Sequence, residues 1–319
     1  MPTRLGREYN IGIAKETTRG TPVTPSFWIP RKTFDFEEKR EIIFDDQGYG
    51  RIEDITRHKI VSQWAEGTFG GITGARSIGL FLLGVLGSVT TTGPDADGIY
   101  THTFSVGQNV QHPSLTFSVK DPDAGRAFAL AMLKTFRLSI ETGGFAEFES
   151  DFMSKKAVSA TLTPFYVLED NFVGGNTTVK FADTKAGLNA APVIKAITAE
   201  INYNKNLEKD DILGSFDPND FFNKQFQIEL TLTKKMEDET YKSYFKDGAM
   251  KAMRLLFSTG TGATLRSIQT DLNQVIFTDW ASSRGLDEIV VETITMKASF
   301  KLADAEMVSV ILKNNQTSY

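Results

Sequence analysis

The sequence predicts a mainly β chain with a few helices, an α+β fold built on antiparallel sheet. Three observations carry this expectation. Apolar side chains recur at every second position through many short segments, the period of strands with one wet face. Among 319 residues, phenylalanine (24) and glycine (26) are abundant, the first suited to strands and cores, the second to turns and bulges. Only two stretches break the strand rhythm in the manner of helices.

The elements follow in chain order. Phe34–Lys39 reads as a strand and runs into a long loop, Arg40–Lys59; Ile60–Phe69 is the next strand. Ala75–Leu86 (ARSIGLFLLGVL) is too continuously aliphatic for a half-wet strand and ends before Gly87, so it predicts a buried helix. Strands follow at Thr101–Val106 and Ser114–Lys120, where Leu115, Phe117 and Val119 share one face. A hairpin over Thr135–Met153 opens with the alternating TFRLSIE. After a Gly- and Ala-rich stretch come a strand at Ile197–Asn204, a second long loop at Leu207–Lys224, and a strand at Phe226–Lys234. Glu239–Phe257 spaces Tyr241, Tyr244, Met250 and Met253 nearly as a helix would, and predicts a second helix closing at Gly260. Strands near Ile268–Phe277 and Ile289–Leu302 complete the chain.

Both halves therefore read strand, long loop, strand, helix, strands. The loops share a faint pattern, Glu41, Asp45-Asp46, Gly48, Tyr49 against Glu208, Asp210-Asp211, Gly214, Phe216. The expectation is two similar antiparallel domains, sandwich- or barrel-like, each with one helix packed on its sheet. Residues 1–165 make the first, with an N-terminal arm at 1–32. Residues 166–192, holding Gly174-Gly175-Asn176 and Ala190-Ala191-Pro192, make a connector. Residues 193–319 make the second.

Composition excludes several classes of function. Forty acidic against 35 basic side chains give a net charge of −5, whereas a general nucleic-acid binder needs surplus positive charge. Without cysteine there is no disulfide, thiolate metal site or thiol nucleophile. The apolar run Ile78–Gly87 is too short to cross a bilayer, and Met1–Asn10 has no apolar stretch that could serve as a secretory signal. The phosphate-loop, nucleophile-elbow and zinc-protease motifs are missing. Gly48-Tyr-Gly50 and Gly260-Thr-Gly262 lack the third glycine of a dinucleotide site. His58, His102 and His112 share no ligand spacing. The acids at Asp45-Asp46, Asp210-Asp211, Asp217 and Asp220 lack calcium-loop spacing and read as solvated. No catalytic residue, metal or cofactor is expected, and the chain is not expected to be an enzyme.

Tyr9–Pro25 (YNIGIAKETTRGTPVTP), followed by Trp28-Ile-Pro30, resembles the opening of tail tube proteins from long-tailed bacteriophages. Two further segments are similar to that family: Trp64–Gly71 (WAEGTFGG), running toward a helix, and Leu138–Phe145 (LSIETGGF), followed by Phe148-Glu-Ser150 and Ser154-Lys155. The resemblance lies mostly in the first half. It implies a sheet turned toward a shared lumen, a helix on the outer face, a long loop for stacking, and no catalytic residues.

The resemblance implies a structural virion protein, made in the host cytoplasm, that self-assembles into stacked rings. The rings form a tail tube for DNA delivery, with trimeric, pseudo-hexameric rings if each half is one tube domain. Its partners are then itself and other tail proteins, with DNA passing unbound and no membrane insertion. Candidate contacts between rings are Phe44, Asp45, Asp46 and Tyr49 in the first loop, and Asp210, Asp211, Phe216 and Phe221 in the second. Candidate lumen residues are Thr198, Glu200 and Asn202, with Gln227, Glu229 and Thr231. The alternative is a β-sandwich binding module, carbohydrate-binding or part of a baseplate or fibre. That reading needs clustered exposed aromatics, and Trp28, Trp64 and Trp280 lie in separate contexts.

Overall fold

The computed structural model describes residues 3–319; Met1 and Pro2 of the expected arm lie outside the described residues. Strands β1 (Asn10–Lys15), β2 (Phe27–Ile29), β3 (Thr33–Asp45) and β4 (Arg57–Ile72) precede helix α1 (Ile78–Leu86). Then come β5 (Gly87–Thr92), β6 (Tyr100–Val106), β7 (Leu115–Lys120), β8 (Gly125–Glu141), β9 (Glu147–Lys155) and β10 (Ala157–Ser159). The second half holds β11 (Thr177–Ala182), β12 (Val193–Ile194), β13 (Ala196–Asn204), β14 (Glu208–Asp210), β15 (Asp220–Phe222) and β16 (Gln227–Lys235). Helix α2 (Thr240–Asp247) leads to β17 (Met250–Thr259), β18 (Arg266–Ser283), β19 (Val291–Ala298) and β20 (Val308–Asn314). The chain is mainly β, and its pairings between named strands are antiparallel.

Two long strands, β8 and β18, organise everything else. The first part of β8 pairs with β7 and β10; β7 carries β1, and β1 carries β2. Its later part pairs with β9, which carries β4 and then β3. Strand β18 repeats the arrangement. Its first part pairs with β17 and β20, β17 carries β11, and β11 carries β12. Its later part pairs with β19, which carries β16 and then β13. The hairpin β5–β6 has no counterpart; it adds to the second set through β20.

A bulge fixes the alignment of the repeats. Strand β8 bulges between Leu133 and Thr135 opposite Phe152 and Asp151, and β18 bulges between Phe277 and Asp279 opposite Met296 and Thr295. Following the registers outward, Thr68 matches Thr231 and Asp35 matches Glu200. The buried residues agree, Phe152 with Met296 and Phe69 with Leu232.

The halves join edge to edge. Strand β8 pairs with β13 from Thr135↔Asn204 to Glu141↔Thr198, giving the continuous order β3-β4-β9-β8-β13-β16-β19-β18. Among the described residues, the outer edge of β3 and the end of β18, Asp279–Ser283, have no further strand partner.

Helix α1 is buried throughout, with Phe81 4.8 Å from Phe148 and 5.9 Å from Phe136. It ends as expected at Gly87, whose φ of 91° suits glycine. The turn leading into it is held from the expected connector: Glu169 Oε2 accepts from Arg76 N (2.7 Å) and Ser77 N (2.9 Å). That stretch also contributes β11 to the second set of strands, where it pairs with β12 and β17. Among the described residues no helix is long and apolar enough to cross a membrane.

The second helix is shorter than its spacing suggested. It stops at Gly248 (φ 62°), and Met250–Thr259 is β17 instead. The run MKAMRLLF fits either period. Edges offered by β11 and β18 on its two sides settle it as a strand, with Met253, Leu255 and Phe257 buried. Tyr244 of α2 packs 5.3 Å from Phe277. One glycine is demanded by close approach: at Gly67 (φ 153°) a Cβ would sit 1.7 Å from the Asp35 carbonyl oxygen.

Candidate assembly surfaces

Alternation along β13 and β16 buries Ala199, Ile201, Tyr203, Ile228, Leu230 and Leu232, and turns the intervening residues to the other face. Thr198, Glu200, Asn202, Gln227, Glu229 and Thr231 therefore share one wet face, with Glu200 opposite Thr231 and Asn202 opposite Glu229. The face continues into the first half, where Thr198, Glu200 and Asn202 lie opposite Glu141, Ser139 and Arg137. Arg137 pairs with Glu149 (3.2 Å) and Glu200 (3.3 Å), and Lys297 lies 3.8 Å from Glu229. Asp151 accepts from Thr68 (2.8 Å) and Thr135 (2.6 Å). Asp35 and Glu37 extend this carboxylate-rich surface to its edge.

The long loops are largely hairpins. Strands β3 and β4 run on as a ribbon to Asp45↔Arg57, so only residues 46–56 are a loop. Phe44 and Tyr49 are exposed, as are Ile52 and Ile55. The Asp45 carboxylate accepts from Tyr49 Oη (3.2 Å) and Arg57 Nε (3.3 Å), while Asp46 is exposed. The second loop repeats the ribbon in β14–β15. Its pairs Glu208↔Phe222, Lys209↔Phe221 and Asp210↔Asp220 match Ile43↔Lys59, Phe44↔His58 and Asp45↔Arg57.

This second hairpin folds back on its own chain. Phe221, expected at a surface between rings, is fully buried against Leu130, Met132 and Met153. Arg19 of the N-terminal arm clamps it there, donating to Asp220 (3.0 Å) and to the carbonyls of His112 (2.6 Å) and Phe221 (3.2 Å). Asp210 is held by Asn219 (2.8 Å) and Asp211 by Lys209 (2.9 Å). Phe216 stays exposed, its carbonyl accepting from Gln63 N (2.7 Å).

Sequence reasoning missed two positioning residues. Glu16, in the KETTRG stretch, is buried and accepts from Gly20 N (2.6 Å), Ser114 Oγ (2.5 Å) and Leu130 N (2.8 Å). Its spacing from Arg19 and Gly20 was the available signal. Lys205 is fully buried and donates to the Gly84 carbonyl in α1 at 2.8 Å; burial pushes its pKa down to about 7. Beside it, burial and then the Lys205 charge lower His112 to about 4. The three histidines stay apart. Among the described residues no cluster of three or more metal-binding side chains occurs.

No curated protein matches the chain. The family model for phage tail tube proteins matches residues 6–300, and so covers both halves rather than the first alone. The chain belongs to the phage tail tube protein family and is a structural component of the virion.

Proposed function

We propose that this protein closes into rings of three copies, each copy giving two tube-like units, and that the rings stack into the conduit for DNA delivery. The observation that carries the reading is the seam between β8 and β13. It joins two equivalent sets of strands edge to edge, and β3 and β18 carry the same pair of edges without partners. Unpaired edges of this kind are templates for another chain. Transferring the seam's register puts Lys39 opposite Asp279, Glu37 opposite Ala281 and Asp35 opposite Ser283. The first of these is an oppositely charged pair.

The first unit is then residues 1–165, and the second 193–319 joined by β11 from the intervening stretch. Each contributes its sheet to the wall, with its helix on the side away from the lumen. The wet face, with Thr198, Glu200, Asn202, Gln227, Glu229 and Thr231, lines the lumen. Carboxylates around Arg137 and Lys297 leave little positive field there, so a polyanion slides past rather than sticking. Ring stacking uses the exposed tip of the first hairpin, Phe44, Asp46 and Tyr49, with Phe216 of the second. The protein's role is structural rather than catalytic. It is made in the host cytoplasm and joins other tail proteins there.

Native mass spectrometry and electron microscopy of the purified protein test this. Rings of three are expected, and six copies per ring overturn the two-unit reading. Because the chain has no cysteine, Glu37→Cys with Ala281→Cys reports the seam without background. Disulfide-linked rings are expected, and low-salt binding of DNA by isolated rings would contradict the lumen assignment.

A further inference from the structure

We infer that the groove between Phe226 and Phe300 receives the tip of the first hairpin of the neighbouring copy in the same ring, with Ile52 as its apolar anchor. This rests on the ring reading above and adds a lateral contact to it.

The chain contains the template for the contact. Its second hairpin leaves β13 and crosses the ends of β9 and β4, the strands beyond the β8 seam. There the Phe216 carbonyl accepts from Gln63 N at 2.7 Å, Asp217 pairs with Lys156 at 3.2 Å, and Lys209 Nζ lies 4.1 Å from the Trp64 ring centroid. The first hairpin leaves β3, the counterpart of β13, and among the described residues has no such bed in its own chain. Its bed is the matching end of β19 and β16 on the copy that offers β18. By the repeat alignment, Gln63 corresponds to Phe226 and Lys156 to Phe300.

A groove of about 580 Å³ lies at that place, with Phe226, Phe300, Val106 and Met307 on its apolar wall and Asp304 and Glu306 on its polar one. Phe300 is 52% exposed, an open apolar wall. In the tip, Arg51–Asp54 span the positions matching Phe216 and Asp217, and Ile52 is fully exposed at 103%. The chemistry changes on both sides together. Where the internal contact pairs Asp217 with Lys156, the free surfaces offer Ile52 and Phe300. Large apolar groups exposed at both of these matching positions mark an interaction site, and a second copy supplies the complement.

Ile52→Cys with Phe300→Cys, both exposed and so compatible with folding, tests the contact in assembled protein under oxidising conditions. The expected result is disulfide-bonded species that stop at the copy number of one ring, in single rings as well as tubes. Ladders running past that number mean contact between stacked rings, and overturn the lateral placement. Rings that link through Glu37→Cys and Ala281→Cys but not through this pair overturn the inference and leave the ring reading intact. A chain that stays monomeric overturns both. As a second readout, Ile52→Asp and Phe300→Lys should each weaken ring association at least tenfold. The double variant should recover most of it by recreating the Asp217–Lys156 pairing; failure to recover counts against the contact.

Discussion

Arg137 of β8 and Glu200 of β13 form an ion pair 3.3 Å long across the seam between the two halves. Both side chains are about two-fifths exposed, so water screens the pair and the backbone ladder does most of the joining. Arg137→Ala should therefore cost less than about 1 kcal/mol of stability. Chemical denaturation measures it; a loss several times larger would mean the seam depends on this charge.

At the proposed seam between copies, the corresponding test is a charge swap. Lys39→Glu would set like charges against Asp279 and should reduce ring formation. Adding Asp279→Lys should restore it. Sedimentation velocity reads both, and unchanged assembly in the single variant would refute the register.

Acid should weaken the fold through His112. Its pKa is lowered to about 4, below the unfolded value, so between pH 6.5 and 4 the unfolded chain binds the extra proton. Stability therefore falls as pH drops through that window, by at most about 3 kcal/mol. His112→Gln should flatten the dependence. Lys205, lowered to about 7, acts in the alkaline window: the unfolded chain holds the extra proton up to its ordinary pKa, so stability rises as pH climbs from 7. Lys205→Met should abolish that rise. Denaturation midpoints across pH check both signs.

Gly67→Ala should damage the β3 edge. A Cβ there meets the Asp35 carbonyl, and neither backbone can yield without breaking the β3–β4 ladder. A loss of about 1–3 kcal/mol is expected, together with loss of assembly. Wild-type thermal stability and normal rings would show that β3 adapts.

Removing residues 46–56 and closing the hairpin with a two-residue turn should leave a folded, soluble protein, because this tip is exposed and the hydrogen bonds that Gln47 and Tyr49 make to Asp45 and Arg57 stay within the hairpin. Tubes should no longer form. Tubes of normal length from that variant would eliminate the hairpin as an assembly element.

Much of this was legible in the chain itself. The alternation of Ser114–Lys120 and Ile197–Asn204 located β7 and β13, and it separated wet from buried faces correctly at Glu200 and Ile201. The aspartate pairs at Asp45-Asp46 and Asp210-Asp211 hinted at equivalent loops; the structure folds much of both into ribbons with matching registers. The candidate contact residues were less legible. Phe44 and Phe221 look alike in sequence, yet one is exposed and the other is sealed beneath a clamp from Arg19, some two hundred residues away.

The sequence by itself determined the strand faces of β13 and β16 and the position of the first helix, because the direction of a side chain in a strand or helix follows from local backbone geometry. It did not determine which polar faces stay wet, since Thr116 and Ser118 of β7 are buried, Thr116 against Glu16 and Val23 of the N-terminal arm. Only the tertiary structure decided that Met250–Thr259 is a strand, since its apolar run suits two periods and the edges of β11 and β18 choose between them. It also decided which edges stay open. An edge is a relation between strands distant in the chain, and nothing in the residues of β3 or β18 alone records that no strand lies beyond them.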